Sequence, residues 1–176
     1  MLKIKKLKNE DGITLFIAIV IMGILLFISF AVLNITLKAN LFATSGRDSQ
    51  YAFYAADAGL ECAIYWDSRS DPSEFDISTA GTITCAGQTI TTYPGANGQN
   101  PIPGTTTPSL IGGGGAANRT SKFGLRFNLV GSNPVNSCAI VTVTKNINGT
   151  TDIESRGYNT CDTTNPRRIE RGIEIK

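Results

Sequence analysis

The chain has 176 residues, 41% of them hydrophobic and 17% charged, with sixteen Lys and Arg against fourteen Asp and Glu and no histidine. The length suits one domain plus an appended segment, and the absence of histidine removes the commonest general base, the commonest zinc ligand and every Ser-His or Cys-His nucleophile pair. Lys3, Lys5, Lys6 and Lys8 give the first twelve residues a surplus of two positive charges over Glu10 and Asp11, so the remainder is neutral overall and unlike a dedicated nucleic-acid binder.

Residues 13–33 form an uncharged apolar run, ITLFIAIVIMGILLFISFAVL, interrupted only by Thr14, Gly23 and Ser29. A helix crosses the hydrocarbon core of a bilayer with about 20 such residues. The lysines just ahead of the run predict a cytoplasmic amino end and an exported remainder. A secretory signal peptide is the alternative. Its apolar region spans about 7–15 residues and ends at a small-x-small site, and this run is longer and has no such exit.

Helical periodicity continues beyond the apolar run, with no proline before Pro72. Leu37, Leu41, Thr44, Asp48, Tyr51, Ala55, Ala58, Cys62 and Tyr65 recur at helical spacing, broken in polarity at Asp48. Ala52, Ala56, Gly59 and Ala63 make a second, small-residue face. Stop signals cluster from Asp67 to Pro72. A helix from Ile13 to about Trp66 would be about 80 Å long, with a first half apolar all round and an amphipathic second half. Its first half needs lipid or other copies of itself as surroundings.

From Asp67 the composition shifts, and residues 78–121 are rich in Thr, Gly, Pro, Ala and Asn. This reads as loop, with at most a short strand near Thr82–Cys85. Gly112–Gly115 lacks the Lys-Ser/Thr helix start of a phosphate-binding loop and reads as flexible chain. Strand signals follow. Phe123, Leu125, Phe127 and Leu129 alternate with polar or small residues, Cys138–Thr144 is β-branched and apolar, Asn148-Gly149 is a hairpin turn signal, and Ile153–Tyr158 returns from it. In the last strand Ile169, Ile173 and Ile175 point one way and Glu170, Glu174 and Lys176 the other, with Arg171 breaking the apolar row. Four antiparallel strands with one apolar face need a cover, and the amphipathic half-helix can supply it. Tyr51, Phe53, Tyr54, Tyr65 and Trp66 are expected to pack between helix and sheet.

The four cysteines, Cys62, Cys85, Cys138 and Cys161, all follow the apolar run. An even count in an exported segment reads as two disulfides with three possible connectivities. A turn about Asn148-Gly149 with one or two extra loop residues sets Cys138 opposite or nearly opposite Cys161, which leaves Cys62 with Cys85. Each bridge would contribute roughly 3 kcal/mol. The absence of Cys-x-x-Cys spacing and of histidine disfavours zinc.

Residues 119–176 carry nine basic and five acidic groups, including Arg126, Lys145, Arg156, Arg167, Arg168 and Arg171, and 39–118 carry two basic and seven acidic. Complementary contacts between stacked subunits, or a solvated strand face, account for this bias more simply than a DNA-binding patch. Asn34, Asn118 and Asn148 open Asn-x-Thr triplets, and no glycan is assigned to Asn34, at a membrane edge, or to Asn148, in a tight turn.

The junction Glu10-Asp11-Gly12-Ile13-Thr14-Leu15-Phe16-Ile17 resembles the leader of type IV pilins and type II secretion pseudopilins. The stretch from Gln50 to Glu61 is similar to the AFYAAEAG segment of minor pilins of that group. The resemblance implies an α+β subunit with a long N-terminal helix packed on a four-stranded antiparallel sheet. Its parts would be a leader (1–12), a membrane or filament-core half-helix (13–36), an amphipathic half-helix (37–70), a loop region (71–122) and a sheet head (123–176). It further implies cleavage between Gly12 and Ile13 by a prepilin peptidase, N-terminal methylation, no enzymatic activity and no cofactor. The implied partners are other major and minor pilin subunits, the peptidase, an inner-membrane assembly platform and membrane lipid before assembly. Ile17 stands at the fifth mature position, where the family usually has Glu, and its presence there fits a minor subunit at or near the tip. The other expectation is an adhesin or DNA-capture module held by one transmembrane helix without polymerising. An anchored hydrolase is disfavoured by the absence of histidine and of a nucleophile motif.

Overall fold

The computed structural model describes residues 11–78, 81–91, 102–105, 107, 109–113, 119–129 and 135–176. The chain forms two compact units, Met1–Ser45 and Gly46–Lys176. Residues 1–10, most of the expected leader, lie outside the described residues.

Helix α1 spans Asp11–Ser68 without a break, 58 residues. No proline interrupts it, and the chain leaves helical geometry just before the Ser-Asp-Pro sequence 70–72, as the stop signals predict. Ser29, Thr36 and Thr44 lie within it, each hydroxyl donating to a carbonyl four residues back, on Leu25 (2.8 Å), Val32 (2.9 Å) and Asn40 (3.1 Å).

In the second unit, strands β1 (Thr82–Cys85) and β2 (Gln88–Thr91) form a two-stranded hairpin inside the stretch expected to be mostly loop. The tight turn between them uses Ala86 and Gly87, both at positive φ. Ile83 and Ile90 face each other across the hairpin and are fully buried. Four residues per strand give too short an alternation to stand out among threonines, which is why β2 escapes a reading of the sequence.

The larger sheet is an antiparallel meander of β3 (Thr120–Leu129), β4 (Val135–Lys145), β5 (Thr151–Tyr158) and β6 (Glu170–Ile175), in that spatial order. Phe123 pairs with Val141, Val141 with Ser155, and Ser155 with Ile173, so one parity of residues shares a face. That face packs with Leu60 and Ala63 of α1, Phe75, Ile83, Ile90 and Ile111 into the main core. Phe75 and Phe123 stack with ring centroids 5.9 Å apart. The Asn148-Gly149 turn forms as expected, Gly149 taking φ 86°.

The outer edge of β3 is occupied at two places. Leu110 exchanges both backbone hydrogen bonds with Lys122 at 2.8 Å. Farther along, the Gln88 side-chain amide imitates a strand: its Nε2 donates to the Arg126 carbonyl (2.7 Å) and its Oε1 accepts from the Arg126 N–H (3.2 Å). The opposite edge strand, β6, carries charges along an exposed surface, the usual guard against unwanted strand pairing. Its expected apolar row is only partly realised. Ile173 is half-buried, Ile175 is 43% exposed, and Arg171 donates from Nε to Ser49 Oγ of α1 (2.8 Å).

Candidate functional site

The first unit presents a continuous apolar surface. Every large apolar side chain between Ile13 and Phe42 is at least 43% exposed, and none of the most apolar stretch is buried. Its mean hydropathy of 3.1 over 18 residues, with this length, makes α1 able to cross a membrane. The hydroxyls of Ser29, Thr36 and Thr44 are satisfied within the helix, so none of these three is left to be buried unpaired in an apolar medium. The expected cleavage junction lies at the start of this helix. Gly12 falls within α1, Ile13 is 66% exposed, and Ile17 stands 51% exposed in the same apolar surface.

In the second unit, the helix face that meets the sheet is the small-residue one. Ala52, Ala55, Ala56, Leu60 and Ala63 are buried. A Cβ on Gly59 would stand 2.6 Å from Ser155 Oγ and 2.9 Å from Val141 Cγ2. A Cβ on Gly157 would strike the backbone of Ala52 and Ala56. Helix and strands therefore touch nearly backbone to backbone. This corrects the expectation that the aromatic residues fill the interface: Phe53, Tyr54 and Tyr65 are each about half exposed or more, and Tyr51 is half-buried. Bulky rings on the sheet side would force the helix away. Trp66 is the exception, packing on the core edge and donating from Nε1 to the Thr84 carbonyl (3.2 Å).

Cys62 and Cys85 are disulfide-bonded, with Cα atoms 6.0 Å apart, and tie the β1–β2 hairpin to the helix. The end of the same helix is also held by the ion pair of Asp67 with Lys145 of β4, Asp67 accepting in addition from Ser73 Oγ (2.7 Å). Cys138 and Cys161 are both buried free thiols, packed together with Tyr158. The register differs from the expected one. The β4–β5 loop holds five residues, 146–150, so Cys138 faces Tyr158 and Cys161 returns to it only from the turn beyond β5. Contact with the Cys161 thiol, and then burial, raise the Cys138 pKa, and contact with Cys138 lowers that of Cys161, where Arg126 and Arg168 act in the same direction and burial opposes them.

The expected basic residues do not gather into one patch. Lys145 pairs with Asp67, Arg156 pairs with Glu154 (2.6 Å) and Glu170 (3.2 Å), and Arg171 reaches Ser49. Arg168 lies over the Tyr158 ring at 3.7 Å and donates to the Thr160 carbonyl (3.4 Å), whereas Arg126 lines a cavity beside Cys161.

The class these features define is an α+β protein in which one long N-terminal apolar helix, able to span a membrane, continues into a helix packed on a four-stranded antiparallel sheet. No protein-family model, curated protein or solved structure matches the chain.

Proposed function

We propose that this chain is a minor-pilin-like structural subunit, cleaved after Gly12 and assembled at or near the tip of a type IV pilus or secretion pseudopilus. The observation that carries the reading is the exposed apolar segment of α1, continuous with a helix whose next part packs on an antiparallel sheet through small residues. An apolar surface of that extent is stable only against lipid or like helices. The subunit is first held in the inner membrane, amino end cytoplasmic and head exported, and then withdrawn into a bundle of sister helices. Its partners are major and minor pilins, the prepilin peptidase and the assembly platform, and its work is assembly.

Ile17 suits a terminal position. An apolar filament core makes an unpaired amino terminus costly by several kcal/mol, and a carboxylate at the fifth mature position would offset this for the next subunit. A subunit at the end of the filament has no further amine to neutralise.

The test is the intact mass of the protein from cells with and without the peptidase. Loss of residues 1–12 with gain of one methyl group is the expected result, accompanied by recovery of the chain in sheared filaments. An unprocessed chain that stays with the membrane fraction in both strains overturns the proposal.

A further inference from the structure

The two unbonded cysteines differ in access. Cys138 is fully buried within β4, and Cys161, 9% exposed, lies between it and an open cavity. The cavity is lined by Cys161 together with Arg126, Thr105, Thr107, Asp162 and Thr163. Asp162 is engaged by its own turn, accepting from the Thr164 N–H (2.9 Å) and hydroxyl (2.7 Å). Arg126 uses its backbone to bind Gln88, and its guanidinium makes no ion pair among the described residues. The cavity thus combines a thiol, an unpaired cation and hydroxyl groups, with a second thiol in contact behind the first.

We infer that Cys161 is the entry thiol of a thiol–disulfide exchange site, that Cys138 is its resolving partner, and that the oxidant is a small disulfide bearing carboxylates, received beside Arg126. The Cys161 thiolate attacks one sulfur of RS–SR. The S–S bond of the oxidant breaks, and RS⁻ leaves with the electron pair and takes up the proton that Cys161 released. Cys138 then loses its proton and attacks Cys161 Sγ in the mixed disulfide, expelling the second RS⁻, which is protonated in turn. Two protein thiols are oxidised to one disulfide and one disulfide is reduced to two thiols.

The order follows from burial and electrostatics. An external disulfide can reach Cys161 through the cavity, and Cys138 has no exposed surface. Contact with the Cys138 thiol favours the thiolate at Cys161, as do the Arg126 and Arg168 charges, against the opposing effect of its own burial, while contact with Cys161 and burial keep Cys138 protonated. Reactive thiols occupy such electropositive, partly accessible surroundings, and exchange proceeds through a mixed disulfide.

The experiment uses the full-length chain in detergent micelles, reduced, freed of reductant and exposed at neutral pH to glutathione disulfide, with each cysteine mapped by mass spectrometry. Wild-type protein should end with a Cys138–Cys161 bond, Cys138→Ala should accumulate glutathione on Cys161, and Cys161→Ala should leave Cys138 unmodified until the protein is denatured. Arg126→Gln, which keeps both cysteines, should react several-fold more slowly with glutathione disulfide and lose the preference for it over the cationic disulfide cystamine. An adduct on Cys138 in native Cys161→Ala, an unmodified Cys161 in Cys138→Ala, or an unchanged preference in Arg126→Gln overturns the inference.

Discussion

Gly59 of α1 lies over Ser155 of β5 with so little space between them that a methyl group on the glycine would stand 2.6 Å from the serine hydroxyl. Replacement of Gly59 by Val should therefore destabilise the head by about 1–3 kcal/mol through overpacking. Gly46, with nothing within 4 Å of its would-be Cβ, is the control. Gly46→Ala should stabilise the helix by about 1 kcal/mol, since glycine is a poor helix former. Urea unfolding followed by the fluorescence of Trp66, the single tryptophan, measures both. Equal effects would mean that the small-residue contact does not hold.

Ser155 is itself fully buried, and its hydroxyl has no hydrogen-bond partner among the described residues. Ser155→Ala removes that unpaired group without opening a cavity of consequence, and should raise stability by about 1 kcal/mol. A loss of comparable size in the same unfolding assay would contradict this assignment.

The Cys62–Cys85 bond closes a sequence separation of 23 residues. Its removal in a Cys62→Ala, Cys85→Ala variant should cost about 3 kcal/mol. The loss should fall first on the β1–β2 hairpin, which the bond joins to the helix. Hydrogen exchange should show faster opening at Ile83 and Ile90 than at Val141 and Val143.

Asp162 accepts two hydrogen bonds from Thr164, which hold its carboxyl below the usual aspartate range, whose reference value is 3.8. For an acid with a lowered folded-state pKa, the added stability is present above the unfolded value and disappears as pH falls through the folded one. The 162–164 turn should therefore be intact at neutral pH and loosen only below about pH 4. Carboxyl NMR should find Asp162 titrating lower than an ordinary aspartate, and Asp162→Ala should abolish the pH dependence of the turn.

Much of the architecture was legible in residue order. The uncharged run from Ile13 to Leu33, the absence of proline before Pro72 and the Asp67–Pro72 stop signals foretell the helix and its end. The alternation around Phe123 and the Asn148-Gly149 turn foretell the sheet. The functional residues were less evenly readable. Cys62 and Cys85 emerged as a bonded pair only as the remainder once the hairpin set Cys138 near Cys161, and the Cys138–Cys161 register was displaced because loop length cannot be counted from the turn signal alone. Arg126 beside Cys161 had no signal at all, since a strand residue and a turn residue 35 positions away in sequence meet only through pairing of β3 with β4 and the return after β5.

Amino-acid order alone determined where this chain is apolar, where it is helical and where it alternates, because hydropathy period and backbone stereochemistry act over a few neighbouring residues. Which face of α1 meets the sheet was decided only in three dimensions. A stripe of rings and a stripe of alanines share the helix, and the close approach of Gly59 and Gly157 selects the alanines, because steric fit depends on what the other surface presents.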